Sequence, residues 1–169
     1  MAAWQDIKNA VLADTCYCDN KLAAKDVSVT LPAVNFLTSE AKAMGTMEVI
    51  LPGLIEAMEA AITKIGLDTG LGRMLTPTSH KFEFRWAQNV LKSGGTSEVE
   101  GCKAFITGVP KGIPGAAIEI GSGIENEITI GVTRYQLYCG GKELLCIDRL
   151  SQICRINGKD YYKSIAKLL

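Results

Sequence analysis

Apolar and polar residues alternate along much of this chain with the two-residue period of half-buried strands. Val27-Ser-Val-Thr-Leu31 alternates until Pro32, which ends that strand or sets it at a sheet edge. Residues 47–51 read as a further strand that stops at the turn signal Pro52-Gly53. Lys81-Phe-Glu-Phe-Arg-Trp86 alternates charged and aromatic side chains, and residues 99–109 read as another strand. The longest signal, 124–139, sets Ile128, Ile130 and Val132 on one face and Glu127, Thr129, Gly131 and Thr133 on the other. Gly140-Gly141 predicts a tight hairpin into 143–148, and Asn157-Gly158 a second turn before a short amphipathic tail.

Other stretches carry weaker or conflicting signals. Residues 11–30 are polar and turn-rich around Asp19-Asn20, and 38–46 have no strong period and read as a mobile excursion. Residues 54–65, Leu-Ile-Glu-Ala-Met-Glu-Ala-Ala-Ile-Thr-Lys-Ile, are helix formers by intrinsic propensity. They also alternate, with Met58, Ala60 and Ile62 against Glu59, Ala61 and Thr63, so periodicity leaves helix and strand open. Asp68-Thr69 can cap a short helix through Leu75, ended by Pro77. Residues 92–97 form a loop, and 108–123 a long Gly/Pro-rich one. The expected class is mainly β with one or two short helices.

Composition narrows the function more than it shapes the fold. At 169 residues the chain fits one domain, 1–169, and 47% apolar residues suffice for a core. The 17 glycines suit turns and hairpins. Eighteen basic residues balance eighteen acidic ones without a block of either sign, so no nucleic-acid or membrane face stands out. The N-terminus lacks a signal-peptide pattern and no run approaches a bilayer span, so cytoplasmic synthesis and folding are expected.

The candidate chemistry is thin. Six cysteines (16, 18, 102, 139, 146 and 154) include no CxxC, and Cys16-Tyr-Cys18 is too tight for a zinc knuckle; all six read as buried small hydrophobes. His80 lacks a nucleophile or orienting acid nearby in sequence and reads as a lone surface histidine. The glycines at 66–72 and 121–123 lack the Lys-Ser/Thr of a phosphate loop, Glu125-Asn-Glu127 lacks calcium-loop spacing, and Glu56 with Glu59 has no support as a catalytic pair. Nothing here composes an enzyme mechanism, and no metal or cofactor is expected.

The order of segments is more telling. Val27-Ser-Val-Thr-Leu-Pro32, a polar excursion with Met44-Gly45, and Glu48-Val ahead of Leu54-Ile-Glu-Ala-Met-Glu-Ala-Ala-Ile-Thr63 come in one series. Thr133-Arg-Tyr-Gln-Leu-Tyr-Cys-Gly-Gly-Lys-Glu-Leu-Leu-Cys-Ile-Asp148 and Ile156-Asn-Gly-Lys-Asp160 complete it. The series, over roughly residues 5–165, resembles the major tail tube protein of temperate contractile-tailed phages. That resemblance implies a β-sandwich or partly closed barrel with a flanking helix. It implies hexameric rings in which two hairpins per copy join an inner β-barrel, and stacking of rings inside a contractile sheath. It favours a strand for 54–65, paired as a hairpin with 46–51.

In such a barrel Met58, Ala60, Ile62, Ile128, Ile130 and Val132 pack into the subunit, and Glu59, Ala61, Thr63, Glu127, Thr129 and Thr133 line the channel. A polar or acidic wall lets DNA slide, whereas Lys and Arg would hold its phosphates. The excursion 38–46, with Ser39, Glu40, Lys42, Met44 and Gly45, would reach the next ring, ordering as it stacks. Implied partners are further copies of the chain, the sheath, tape-measure, baseplate and tail terminator proteins, and phage DNA in transit without specific binding, with no membrane. The implied location is the virion tail, assembled in the bacterial host cytoplasm. A tube of an R-type bacteriocin or related contractile injection system is the alternative, and a small ligand-binding β-domain using 108–123 ranks below both.

Overall fold

In the computed structural model, which describes residues 6–169, ten of the twelve strands form one sheet. Its strands are β1 (Ile7–Cys18), β2 (Lys21–Lys25), β3 (Ser28–Thr30), β6 (Met58–Ile65), β7 (His80–Leu91), β8 (Ser97–Pro110), β9 (Glu125–Cys139), β10 (Lys142–Asp148), β11 (Ile153–Ile156) and β12 (Lys159–Asp160). The order β12-β11-β10-β9-β8-β7-β1-β2 runs across it, while β6 joins β3 to the N-terminal half of β9. β4 (Phe36–Lys42) and β5 (Thr46–Ile55) make a separate two-stranded sheet. Two short helices, α1 (Thr69–Leu75) and α2 (Lys163–Ala166), complete the described residues.

The alternation read from the sequence is the burial pattern of the core. Met58, Ala60 and Ile62 on β6 face Val132, Ile130 and Ile128 on β9 in register, and all six are buried. This resolves 58–65 as strand. Helix propensities differ by under about 1 kcal/mol per residue, whereas burying Met58 and Ile62 contributes about 1.5–3 kcal/mol each. A strand here also gains backbone partners on both sides, β3 and β9. Phe82 and Phe84 of β7, Ala104 and Ile106 of β8, and Cys16 and Cys18 of β1 close the same core. α1 caps one side with Leu71 and Met74, and its N-cap Asp68 accepts a hydrogen bond from Leu71 N at 2.9 Å.

Four expectations change. β5 does not pair with β6; it pairs with β4, because β6 is flanked by β9 along one edge and by β3 on the other. Pro52-Gly53 does not stop β5 but forms a bulge, with Leu37 opposite Leu51 and Phe36 opposite Ile55. Residues 38–46, which lack a strong period, form the outer part of the β4–β5 hairpin rather than an irregular loop. Within 11–30, most of the first stretch belongs to the twelve-residue strand β1, whose two irregularities against β7, at residues 8–11 and 11–13, break the alternation that would have announced it.

Candidate assembly surfaces

Five of the six channel-face candidates form a single surface. Glu59 lies opposite Gly131, Ala61 opposite Thr129 and Thr63 opposite Glu127, so β6 and β9 present them side by side. Glu59 and Glu127 are exposed, and Ala61, Thr63 and Thr129 are half-buried. Thr133 differs. It falls in a bulge where Thr107 opposes Arg134 and Gly108 opposes Val132, and its hydroxyl donates to the Thr107 carbonyl at 3.1 Å.

Lys111 was not anticipated on this surface. It lies just past β8, where its N–H donates to Thr129 O at 2.8 Å, and its ammonium forms an ion pair with Glu59. That pairing neutralises one of the two carboxylates, so the face carries less negative charge than its β-strand residues alone suggest. Its position depends on how β8 runs on beside β9, which the Gly/Pro-rich composition of 108–123 conceals.

The hairpin β4–β5 stands apart from the main sheet. Ser39 faces Val49, Glu40 faces Glu48, and Lys42 faces Thr46, while Met44 and Gly45 make the tip with φ of 50° and 120°. Directly opposed glutamates repel, and an isolated two-stranded hairpin is marginal in water. Met44, Met47 and Ile50 are nevertheless exposed on it. At its base the Gly53 backbone lies against the Tyr161 backbone, where an added Cβ would come within 3.2 Å of the carbonyl oxygen.

Strand edges are also left open. β2 covers β1 only at Thr15–Cys18, so, among the described residues, 7–14 pair with β7 on one side alone. Val11 and Leu12 on that stretch are 62% and 55% exposed. An apolar groove of about 430 Å³ adjoins it, lined by Val11, Val27, Val29, Leu31 and Trp86 among others. No lining residue of that groove comes from 108–123, the loop that a ligand-binding domain would have used. That loop instead exposes Ile113, Ile118 and Ile120.

The far part of the sheet is pinned by charge. Arg155 Nε and Nη2 donate to Glu143 at 2.5 and 3.2 Å, and Tyr138 OH donates to it at 3.1 Å. The guanidinium holds the Glu143 carboxyl below its usual range, with the Tyr138 hydrogen bond adding to the effect. His80, expected at the surface, is buried at 8% exposure and paired through Nδ1 with Asp19, 61 residues away in sequence. The acid that orients it comes from the β1–β2 turn, so no local motif could reveal it. The six cysteines are free thiols; five are buried and Cys139 is half-buried.

A sequence model described as "Phage tail tube protein FII" matches residues 8–169. Among solved structures, the chain is similar to a chain of the sheath–tube complex of an extracellular contractile injection system (PVC) in its extended state, determined by cryo-electron microscopy. That similarity has a TM-score of 0.52 and 14% sequence identity, and covers 74% of this chain and 87% of the other. No curated protein matches significantly.

Proposed function

Because the chain belongs to the phage tail tube protein FII family, and is thus a structural subunit of a tail tube, we propose that copies of it close into hexameric rings and that these rings stack into a hollow conduit. The observation that carries this reading is the open edge of β1 at residues 7–14, beside the uncovered apolar groove. Unpaired strand edges with exposed apolar side chains template further pairing, and closure into a barrel is one way to remove them. A head-to-tail contact around a rotation axis closes a ring, and the ring faces then repeat without limit along the tube.

Glu59, Ala61, Thr63, Glu127 and Thr129 are proposed to line the channel, with Thr133 at the edge of that wall. Lys111 offsets the charge of Glu59 and leaves Glu127, so the wall is less acidic than its strands suggest and, among the described residues, carries no unpaired cation that would retain DNA. The β4–β5 hairpin, with Ser39, Glu40, Lys42, Met44 and Gly45, is proposed to contact the neighbouring ring, where its exposed Met44, Met47 and Ile50 would be covered. The sheath surrounds the tube, and the tape-measure, baseplate and tail terminator proteins bound its length. DNA passes without specific binding. The chain performs no reaction of its own in this reading, and it assembles in the host cytoplasm into the virion tail.

Negative-stain electron microscopy and light scattering of the purified chain test this directly. Hollow tubes or rings of uniform diameter are expected as concentration rises. A monodisperse monomer at high concentration, with no ring or tube in the micrographs, contradicts it.

A further inference from the structure

The assembly reading leaves His80 and its surroundings without a role. His80 is the first residue of β7, and the β1–β2 turn brings Cys18 and Asp19 against it. Asp19 and Asn20 both take positive φ, 50° and 65°, in that two-residue turn. The turn is fastened to β7 twice: Asp19 N donates to Lys81 O at 2.9 Å, and Lys81 N donates to Asp19 Oδ1 at 3.0 Å. This leaves Asp19 Oδ2 at 2.6 Å from His80 Nδ1 and 3.8 Å from Cys18 Sγ. Across the ring, His80 Nε2 is 2.9 Å from the Thr76 carbonyl oxygen, with Thr78 Oγ1 at 3.3 Å.

These partners restrict the imidazole. A carbonyl oxygen only accepts, so Nε2 carries a hydrogen. In the neutral ring, Nδ1 would then aim its lone pair at a carboxylate, acceptor against acceptor. A positive bridge removes the conflict, either a second proton or a metal ion. A proton needs only Asp19 and His80. The geometry also supplies a third ligand atom, the Cys18 sulfur, and all three atoms lie within 4.8 Å of one another. The Nε2–H bond to a backbone carbonyl is the outer contact that commonly orients a metal-bound histidine.

We propose that Cys18 Sγ, Asp19 Oδ2 and His80 Nδ1 form a binding site for a divalent ion of the Zn²⁺ class, with water completing the tetrahedron on the exposed Asp19 side. Thiolate, imidazole and carboxylate together suit a borderline-soft ion. Two ligand atoms on one tetrahedral zinc lie about 3.3 Å apart, given metal–ligand distances near 2.0–2.2 Å. The His80–Asp19 approach must therefore open slightly, which the exposed Asp19 carboxylate permits by rotation. Burial pushes the Cys18 thiol up to about 11, with Asp19 reinforcing and Arg73 opposing, so the ion must displace its proton. Binding thus exchanges the Cys18 Sγ proton, which goes to solvent, for the ion. The bound ion would staple the β1–β2 turn to the start of β7, across the segment that carries α1.

The test uses the full-length chain freed of metal, titrated with Zn²⁺ by calorimetry in two buffers of different ionisation enthalpy and with Co²⁺ by absorption. One ion per chain, release of the Cys18 thiol proton seen as a buffer-dependent heat, and a thiolate-to-Co²⁺ charge-transfer band are expected. The band disappears in Cys18→Ser and persists in the double variant Cys102→Ser/Cys139→Ser, which removes the neighbouring thiol pair whose sulfurs are 3.4 Å apart. Asp19→Asn keeps a residue type that tolerates positive φ and an oxygen for Lys81 N–H. It is expected to weaken binding by about tenfold or more. Absence of the band in the native chain, or its survival in Cys18→Ser, overturns the site. If Cys18→Ser does not fold, unchanged affinity in Asp19→Asn overturns it instead. Either result leaves the tube-subunit reading untouched, because the site takes no part in it.

Discussion

The seven-residue helix α1 contains two glycines for which the same substitution should have opposite effects. Gly70 is buried against β2, and a Cβ built on it would lie 2.1 Å from Ala23 O and 3.0 Å from its carbonyl carbon. Those atoms are backbone and cannot swing aside. Gly72, two residues on, is exposed and a Cβ there meets nothing within 4 Å. Removing a glycine from a helix interior is ordinarily favourable by about 0.5–1 kcal/mol, and Gly72→Ala should gain that. Gly70→Ala must move α1 by about an ångström away from β2, disturbing Leu71 and Met74, both buried in the core. Overpacking of this kind costs about 1–3 kcal/mol, so the net effect is destabilising despite the gain in helix propensity. Urea unfolding of the dilute, monomeric chain should show midpoints shifted in opposite directions at unchanged slope. For a domain of this size, thermal midpoints should move by about 2–4 °C per kcal/mol. Equal stabilisation by both substitutions would refute the close packing of α1 on Ala23.

Three further outcomes follow from the surfaces and the charge pairs. Deleting residues 39–45 should leave soluble subunits, since β4–β5 is separate from the core sheet, but abolish long tubes in micrographs; tubes of normal length would give the hairpin another task. Glu127→Lys with Thr129→Lys should leave tubes of normal shape while DNA exit slows and becomes sensitive to salt; unaltered ejection would remove this face from the channel. Because the Glu143 carboxyl is lowered in the folded chain, chiefly by Arg155, its contribution is present above the ordinary value near 4.5 and lost as pH falls through the lower folded value. Glu143→Gln should therefore flatten the fall in denaturant midpoint below about pH 4.5, and an unchanged acid limb would contradict the pairing.

The strands that alternate cleanly were legible because period two is both a sequence pattern and a burial pattern. Ile128, Ile130 and Val132 on β9, and Met58, Ala60 and Ile62 on β6, are cases where the two coincide. The cap at Asp68 was legible for a local reason, a side chain three residues ahead of its partner N–H. β1 escaped because its irregularities interrupt the period and its first half stays exposed on both faces. Pairing is a further level that spacing does not encode: Pro52-Gly53 reads as a turn locally, yet the partner strand turns it into a bulge. The surface shared by Glu59, Ala61, Thr63, Glu127 and Thr129 was legible as one face of two alternating strands, except for Lys111, which arrives from a loop, and the Asp19–His80 pair was out of reach because its members lie 61 residues apart.

A side-chain-resolution cryo-electron microscopy reconstruction of the particle formed by the purified chain tests the assembly most directly. The expected result is a hollow cylinder in which backbone groups of residues 7–14 pair with a strand from the adjacent copy and the surface of Glu59, Thr63, Glu127 and Thr129 looks onto the bore. A particle in which that edge still faces solvent, its copies touching only through loops, would contradict it.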